Sequence, residues 1–491
     1  MGFGVVEAGF VYRSASELLE LLAAGEVSAV ELAEEAIARI ERYDATINAV
    51  CVRDFDRALA AARDADAARA RGEVRPLLGV PITVKESYHV AGLPITWGMP
   101  VFKDFVSDTD ALAVARVKAA GAVVLGKTNV PFVLGDVQSY NEIYGTTGNP
   151  WDPERTCGGS SGGSAAALAA GYGALSLGSD IAGSLRNPAH FCGIYAHKPT
   201  FGLVPGRGHT PPPAPVLPGE RDLAVIGPMA RTAADLSLLL DLLAEPDPLT
   251  LGVAYRLALP PARHTDLADH RVLVIDSHPV VPTSASVRTA IDGFVDKLTG
   301  AGVKVARESA LLPDQTAAAG LYLRMLLSVL GASFPPEHYE QARAAAAQLD
   351  AADRSLAAES TRGTALSHKD WVLADQERAV LRQRWRELFA KFDVVLAPIM
   401  PTPAFPHDHS DLNTRLINID GTDYNYLSQV ALAGMATLPG LPATVFPIGR
   451  SEEGLPIGVQ AIGPMYGDRT PLRFAELAER DFGGFTPPPL D

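Results

Sequence analysis

The sequence predicts an α/β fold: one large domain, a mixed β-sheet covered by helices on both faces, and a helical lobe. Three observations carry that expectation. Short apolar stretches of strand length alternate with Ala-rich amphipathic stretches, the pattern of helices laid over a sheet. Residues 316–390 are Ala- and Arg-rich and read as helix with no strand between, which sets them apart as a lobe. No internal repeat and no low-complexity linker divides the 491 residues into modules.

The elements follow in order. Ser14 and Ser16 are caps for a first helix whose apolar face is Leu18, Leu19, Leu21 and Leu22, with Gly25 as its stop. Val27, Val30, Leu32, Ala33, Ala36, Ile37 and Ile40 recur near a period of 3.6 and predict a second. Residues 58–71 are Ala-rich, charged and helical. Residues 78–85 form a buried strand that ends in a lysine. Residues 111–120 predict a helix, 122–125 a strand, 162–171 a helix of small residues and 172–177 a strand. Residues 205–220, with Pro211, Pro212, Pro213 and Pro215, read as loop. Strands at 271–276 and 303–306 flank a helix at 284–298, a βαβ-like insert. Strands at 394–397, 443–446 and 456–461 close the sheet.

Composition narrows the function. Hydrophobic residues make up 47% and charged residues 20%, which excludes a disordered chain. The net charge of −15 repels nucleic acid and anionic membranes, so neither is expected as a partner. Cys51, Cys157 and Cys192 form no C-x-x-C pair and are too few for a disulfide framework, which points to a reducing compartment. Residues 1–7 lack the basic and apolar regions of a secretory signal, and Val6 breaks the myristoylation pattern. No apolar run approaches the roughly 18 residues of a spanning helix. A cytoplasmic location is expected.

Two formula matches fail on context. Residues 121–128 (GAVVLGKT) fit the P-loop formula, but the residues between the glycines are an apolar strand and Pro131 interrupts any following helix. Residues 158–163 (GGSSGG) fit a nucleophile elbow, which must sit on a strand-to-helix turn. The preceding 149–156 are turn-formers and charges, so no strand is expected there. An α/β-hydrolase-type esterase with Ser160 or Ser161 as nucleophile, and His407 or His409 as its late histidine, stays as an alternative. The bland reading of His407-Asp408-His409 is a solvated loop, and no metal is expected.

Three features converge on chemistry. Lys85 ends an apolar strand, so it is either a surface terminus or a buried functional amine. Residues 157–164 hold three serines and four glycines directly before a helix, where a tight active-site loop is a sharper reading than a linker. Ser184 follows a strand and precedes a helix, where backbone N–H groups face developing negative charge. Alone, it reads better as an N-cap.

Together these residues resemble the amidase signature family of serine hydrolases. The likeness lies in residues 79–86 (GVPITVKE), 157–167 (CGGSSGGSAAA) and 178–186 (GSDIAGSLR), with Phe191-Cys192-Gly193 and Lys198-Pro199-Thr200 behind them. Ser160 stands 75 residues after Lys85, and Ser184 another 24 on, as in the family's triad. Residues 149–152, 398–403, 433–443 and 455–460 agree as well. The resemblance implies one amidase signature domain over 1–491, with core motifs at 78–205 and 390–470 and a variable, substrate-shaping region at about 205–390. It implies a carbon–nitrogen hydrolase acting on an amide, anilide or carbamate, with ester cleavage as a side activity. Ser184 is then the nucleophile, Ser160 the bridging serine in a cis peptide, and Lys85 the base, made neutral by burial. The oxyanion hole would be the backbone N–H groups of Ile181, Ala182, Gly183 and Ser184, and Leu134, Gly135 and Asp136 would line the pocket. No cofactor is implied. A small-molecule substrate and a monomer or homodimer are expected.

Departures from the family pattern are visible. Ala182 stands where glycine is usual and would be strained if that site needs positive φ. Cys157 replaces a proline, and His197 replaces a leucine and reads as a structural histidine. Asp180 and Arg186 read as an ion pair that holds the loop. The amidase-like component of a tRNA-dependent transamidase is a further alternative, but residues 206–213 lack the pattern expected of it.

Overall fold

The computed structural model describes residues 9–490; the 1–7 stretch read above lies outside the described residues. One eleven-stranded sheet runs through the molecule. Its strands are β1 (Val50–Arg53), β2 (Pro81–Lys85), β3 (Val123–Thr128), β4 (Leu175–Asp180), β5 (Tyr195–Lys198) and β6 (Val225–Ala230). They continue with β7 (Arg271–Val274), β8 (Lys304–Ala306), β9 (Val394–Ala397), β10 (Ala443–Arg450) and β11 (Pro456–Ile462). The spatial order is β1-β3-β2-β4-β6-β5-β10-β11-β9-β7-β8. Two runs are parallel, β3-β2-β4 and β9-β7-β8, and antiparallel pairs join them. The sheet is therefore mixed, as expected.

Every side chain of β2, β3 and β4 is buried. Successive side chains point to opposite faces, so both faces are covered. The N-terminal helices α1 (Ala15–Ala24), α2 (Ala29–Ile47), α3 (Phe55–Ala70) and α4 (Leu112–Ala119) lie where the periodicity put them. Ser14 caps α1 by accepting from Glu17 N, and Gly25 closes it in the left-handed region. They are followed by α5 (Gly162–Ala169), α6 (Arg186–Cys192), α7 (Ala233–Leu243) and α8 (Ala285–Gly300), the last joining the parallel strands β7 and β8 as the expected βαβ-like insert. The lobe is α9 (Gln315–Gly331), α10 (Pro336–Ala347), α11 (Leu356–Thr364) and α12 (His368–Phe389), and α13 (Val430–Thr437) and α14 (Arg469–Phe482) complete the set. Among the described residues, no helix is long and apolar enough to cross a membrane.

Three local expectations change. The strand expected at 172–177 starts at Leu175 and runs to Asp180, because Gly171 N and Tyr172 N close α5 on Leu168 O and Ala167 O. The strand expected at 122–125 continues to Thr128, since buried Lys127 finds an acceptor in Pro94 O. Residues 149–156, expected to hold no strand, carry Asp152–Thr156, paired with Gly148–Asn149 in a two-stranded ribbon outside the main sheet. It is mostly half-exposed, so it lacks the apolar pattern that marks a core strand.

Candidate active site

β2 delivers Lys85 into the interior, fully buried. Its Nζ lies 2.8 Å from Ser160 Oγ, 2.9 Å from Ser161 Oγ and 2.9 Å from Ser179 Oγ. Burial drives its pKa well below the usual lysine value, although Asp180 and Glu86 pull the other way. A neutral amine has two N–H donors and one lone pair, so it fits a ring of three hydroxyls. Ser161 Oγ contacts Ser179 O at 3.3 Å and so points its own proton there, leaving it an acceptor from Lys85.

The Gly–Ser loop approaches from above α5. The Gly159–Ser160 peptide is cis. A β-carbon on Gly159 would lie 2.5 Å from Asp136 O and 2.8 Å from Gln138 N, so only glycine lets the loop lie against residues 136–138. Ser139 Oγ donates to Gly158 O and accepts from Gly162 N. Asn187 of α6 clamps Gly159 from the other side, accepting its N–H and donating to its carbonyl.

Ser184 lies on the turn between β4 and α6, 6% exposed, and its carbonyl accepts from Ser161 N at 3.2 Å. Among the described residues no hydrogen bond joins Ser184 Oγ to Ser160 Oγ. Asp180 organises the turn: it accepts from Gly183 N, Leu185 N, and Arg186 Nε and Nη2, all within 3.1 Å. Arg186, fully buried, also reaches Ala433 O, Gln460 Oε1 and Thr437 Oγ1. The pair holds the loop, as read from the sequence.

That arrangement bears on the expected oxyanion hole. The Gly183 N–H is already given to Asp180, so the candidate donors reduce to Ile181, Ala182 and Ser184. Ala182 does not adopt positive φ; Gly183 does, at 95°, and the feared strain falls on a glycine. Asp136 is the acid expected at the pocket. It is buried, and Arg415 Nη1, Tyr426 OH and Tyr140 OH occupy its carboxylate. Only its backbone approaches the reaction centre, beside Gly159. Leu134 is half-buried and Gly135 exposed.

The remaining singled-out residues are structural. His197 is buried, with Nδ1 2.9 Å from Thr444 Oγ1 and Nε2 3.2 Å from Asp468. Burial pushes the Cys157 thiol up to about 12. His409 stacks on Tyr140 at 3.7 Å, and among the described residues no His, Cys, Asp and Glu cluster could hold a metal.

Sequence reasoning missed two residues at the centre and named Ser161 only as an alternative nucleophile. Ser179 neighbours a singled-out position and could have been found by alternation along β4. Tyr322 of α9 donates to Ile181 O at 2.9 Å and carries no sequence signal. The 205–220 loop does reach the site. His209 Nε2 is 2.9 Å from Ser87 Oγ, its ring packs on Tyr88 and Trp97, and burial lowers its pKa.

Known proteins share this organisation. The Amidase family model matches residues 31–472. A glutamyl-tRNA(Gln) amidotransferase component from Roseiflexus sp. (strain RS-1) is 34% identical over 488 residues, covering 95% of each chain. Fatty-acid amide hydrolase 2-A of Danio rerio is 32% identical over 499 residues, covering 97% of this chain and 90% of that one. A solved structure from a vestigial protein complex, connected with the evolutionary origins of an s-triazine catabolic enzyme, superposes with a TM-score of 0.80. It is 31% identical and covers 96% of this chain and 99% of that one. With the lysine strand, the Gly–Ser loop and the Ser184 turn all inside the matched span, the chain belongs to the amidase signature family, whose members act on carbon–nitrogen bonds.

Proposed function

We propose that this enzyme hydrolyses an amide, anilide or carbamate of a small molecule through an acyl-enzyme on Ser184. The observation that carries the reading is Lys85, buried with its Nζ in a ring of three hydroxyls. Neutral Lys85 accepts the Ser160 proton while Ser160 accepts that of Ser184, and Ser184 Oγ bonds to the carbonyl carbon. The C=O electron pair moves onto oxygen, where the N–H groups of Ile181, Ala182 and Ser184 stabilise it; one such donor is worth about 2.7–4 kcal/mol. As the C–N bond breaks, the relayed proton passes to the leaving nitrogen. Water then loses a proton along the same relay, attacks the acyl carbon and frees Ser184.

A fluorophosphonate probe tests the assignment. The expected adduct is on Ser184 and disappears in Ser184→Ala, as read by peptide mass mapping. An adduct on Ser160 or Ser161 that persists in the variant would establish the elbow alternative. The likeness to a component of an amidotransferase supports a second reading, a protein that needs partner chains to act. Amide turnover by the purified chain alone would exclude it.

A further inference from the structure

Arg221 follows the 205–220 loop and carries a charge that no carboxylate answers. Both chain neighbours are acids, and neither forms an ion pair with Arg221. Glu220 Oε1 accepts from Gly206 N at 3.4 Å. Asp222 Oδ1 accepts from Leu223 N at 2.9 Å and from Arg378 Nη1 at 2.8 Å. Among the described residues Arg221 makes no ion pair; its Nη2 reaches Val329 O, near the end of α9, at 3.4 Å. Solvent reaches the side chain, yet surrounding protein atoms lower its pKa by desolvation, with no acid to offset them.

Leu223, two residues on, packs in one cluster with the candidate oxyanion segment. Leu223 is buried with φ of 66°, a conformation bulky side chains rarely adopt, and Ala224 N donates to Arg221 O. The Leu223 side chain joins an apolar cluster with Tyr322 and Leu326, and Ile181, Ala182, Leu327 and Leu330 pack against it. An apolar wall thus runs from the candidate oxyanion segment along α9 to the Arg221 position. His209 of the 205–220 loop is close enough to Arg221 to feel its charge.

We propose that Arg221 is a substrate-binding residue that receives a carboxylate carried on an apolar arm of the amide. The claim rests on the reading of Ser184 as nucleophile. The arm lies on the Ile181–Leu330 wall, and the planar guanidinium takes the carboxylate in a bidentate bond.

Two matched pairs of substrates test it. Hexanoyl p-nitroanilide against adipic acid mono-p-nitroanilide places the acid on the acyl side. N-hexanoyl aniline against N-hexanoyl 4-aminobenzoic acid places it on the leaving side. The expected result is a kcat/KM ratio favouring the acid by about tenfold or more in one pair, the size of one charge-assisted bond. That ratio should fall to near one in Arg221→Gln and partly recover in Arg221→Lys. A ratio near one in both pairs for the wild type, or a preference that survives Arg221→Gln, overturns the proposal. Fluorophosphonate labelling separates the two levels. Labelled Ser184 with ratios near one overturns only the Arg221 assignment. Unlabelled Ser184 with no amide turnover overturns the nucleophile reading and this proposal with it.

Discussion

A lysine is a poor base until it loses its proton, and at Lys85 the fold supplies the reason to lose it. Burial disfavours the ammonium, and three hydroxyls give a neutral amine a partner for each N–H and for its lone pair. The sign follows directly. The folded pKa is depressed, so the working neutral form is populated above that value and lost as pH falls through it. We expect kcat/KM to rise with pH along a one-proton acid limb lying well below the ordinary 10.5 of lysine. Lys85→Ala should lower kcat/KM by about 10²–10⁴ and abolish that limb, as a pH–rate profile would show. A limb unchanged in the variant would mean another group holds the proton. The same depression makes the native state shed a proton that the unfolded chain keeps, so this residue's contribution to stability rises with pH toward 10.5.

Among the elements, α6, α9 and α14 show how helices set the site and its surroundings. Asn187 of α6 grips the Gly159 peptide, and Tyr322 of α9 grips Ile181, so the bridging loop and the candidate oxyanion donors are each held by a helix side chain. α14 docks differently. Glu479 Oε2 accepts from Ala233 N at the start of α7, where burial first, and then Asp235 and Glu476, raise its pKa to about 7. A carboxyl raised from 4.5 to about 7 stabilises the fold most when protonated, so its contribution fades as pH climbs through that window. Glu479→Gln should flatten the dependence of Tm on pH between about 5 and 8, measured by thermal melts. An unchanged slope would place the titration elsewhere.

The whole molecule depends on strands from both ends of the chain meeting in one sheet. β10 and β11 lie in its middle, between β5 and β9, although they come from the last tenth of the sequence. Ending the chain at residue 390 removes β9, β10 and β11, leaves β5 with an open edge, and takes from Arg186 its partners Gln460, Thr437 and Ala433. The expected outcome is a fragment with no cooperative urea transition, read by circular dichroism. A cooperative transition would show that the N-terminal portion folds alone.

Much of this was legible from residue order, because it rests on local rules. Helix periodicity and caps placed α1 and α2, and an apolar run ending in a charged residue placed β2 and Lys85. Glycine and serine density marked the loop that holds Ser160. β1, β5 and β6 went unread, because short strands inside a sheet have no period of their own and form only where neighbours supply a ladder. The same limit held at the site. Nothing near Asp136 in the chain announces that Arg415, 279 residues away, takes its carboxylate out of the pocket. Nothing near Gly183 shows that its N–H is given to Asp180. The sequence by itself determined the family and the sheet-and-helix architecture, and it singled out Lys85, Ser160 and Ser184 as the candidates for the chemistry. The tertiary structure alone decided which donors stay free and which acids are consumed. Those outcomes depend on which groups meet across the fold, and burial makes each such meeting exclusive.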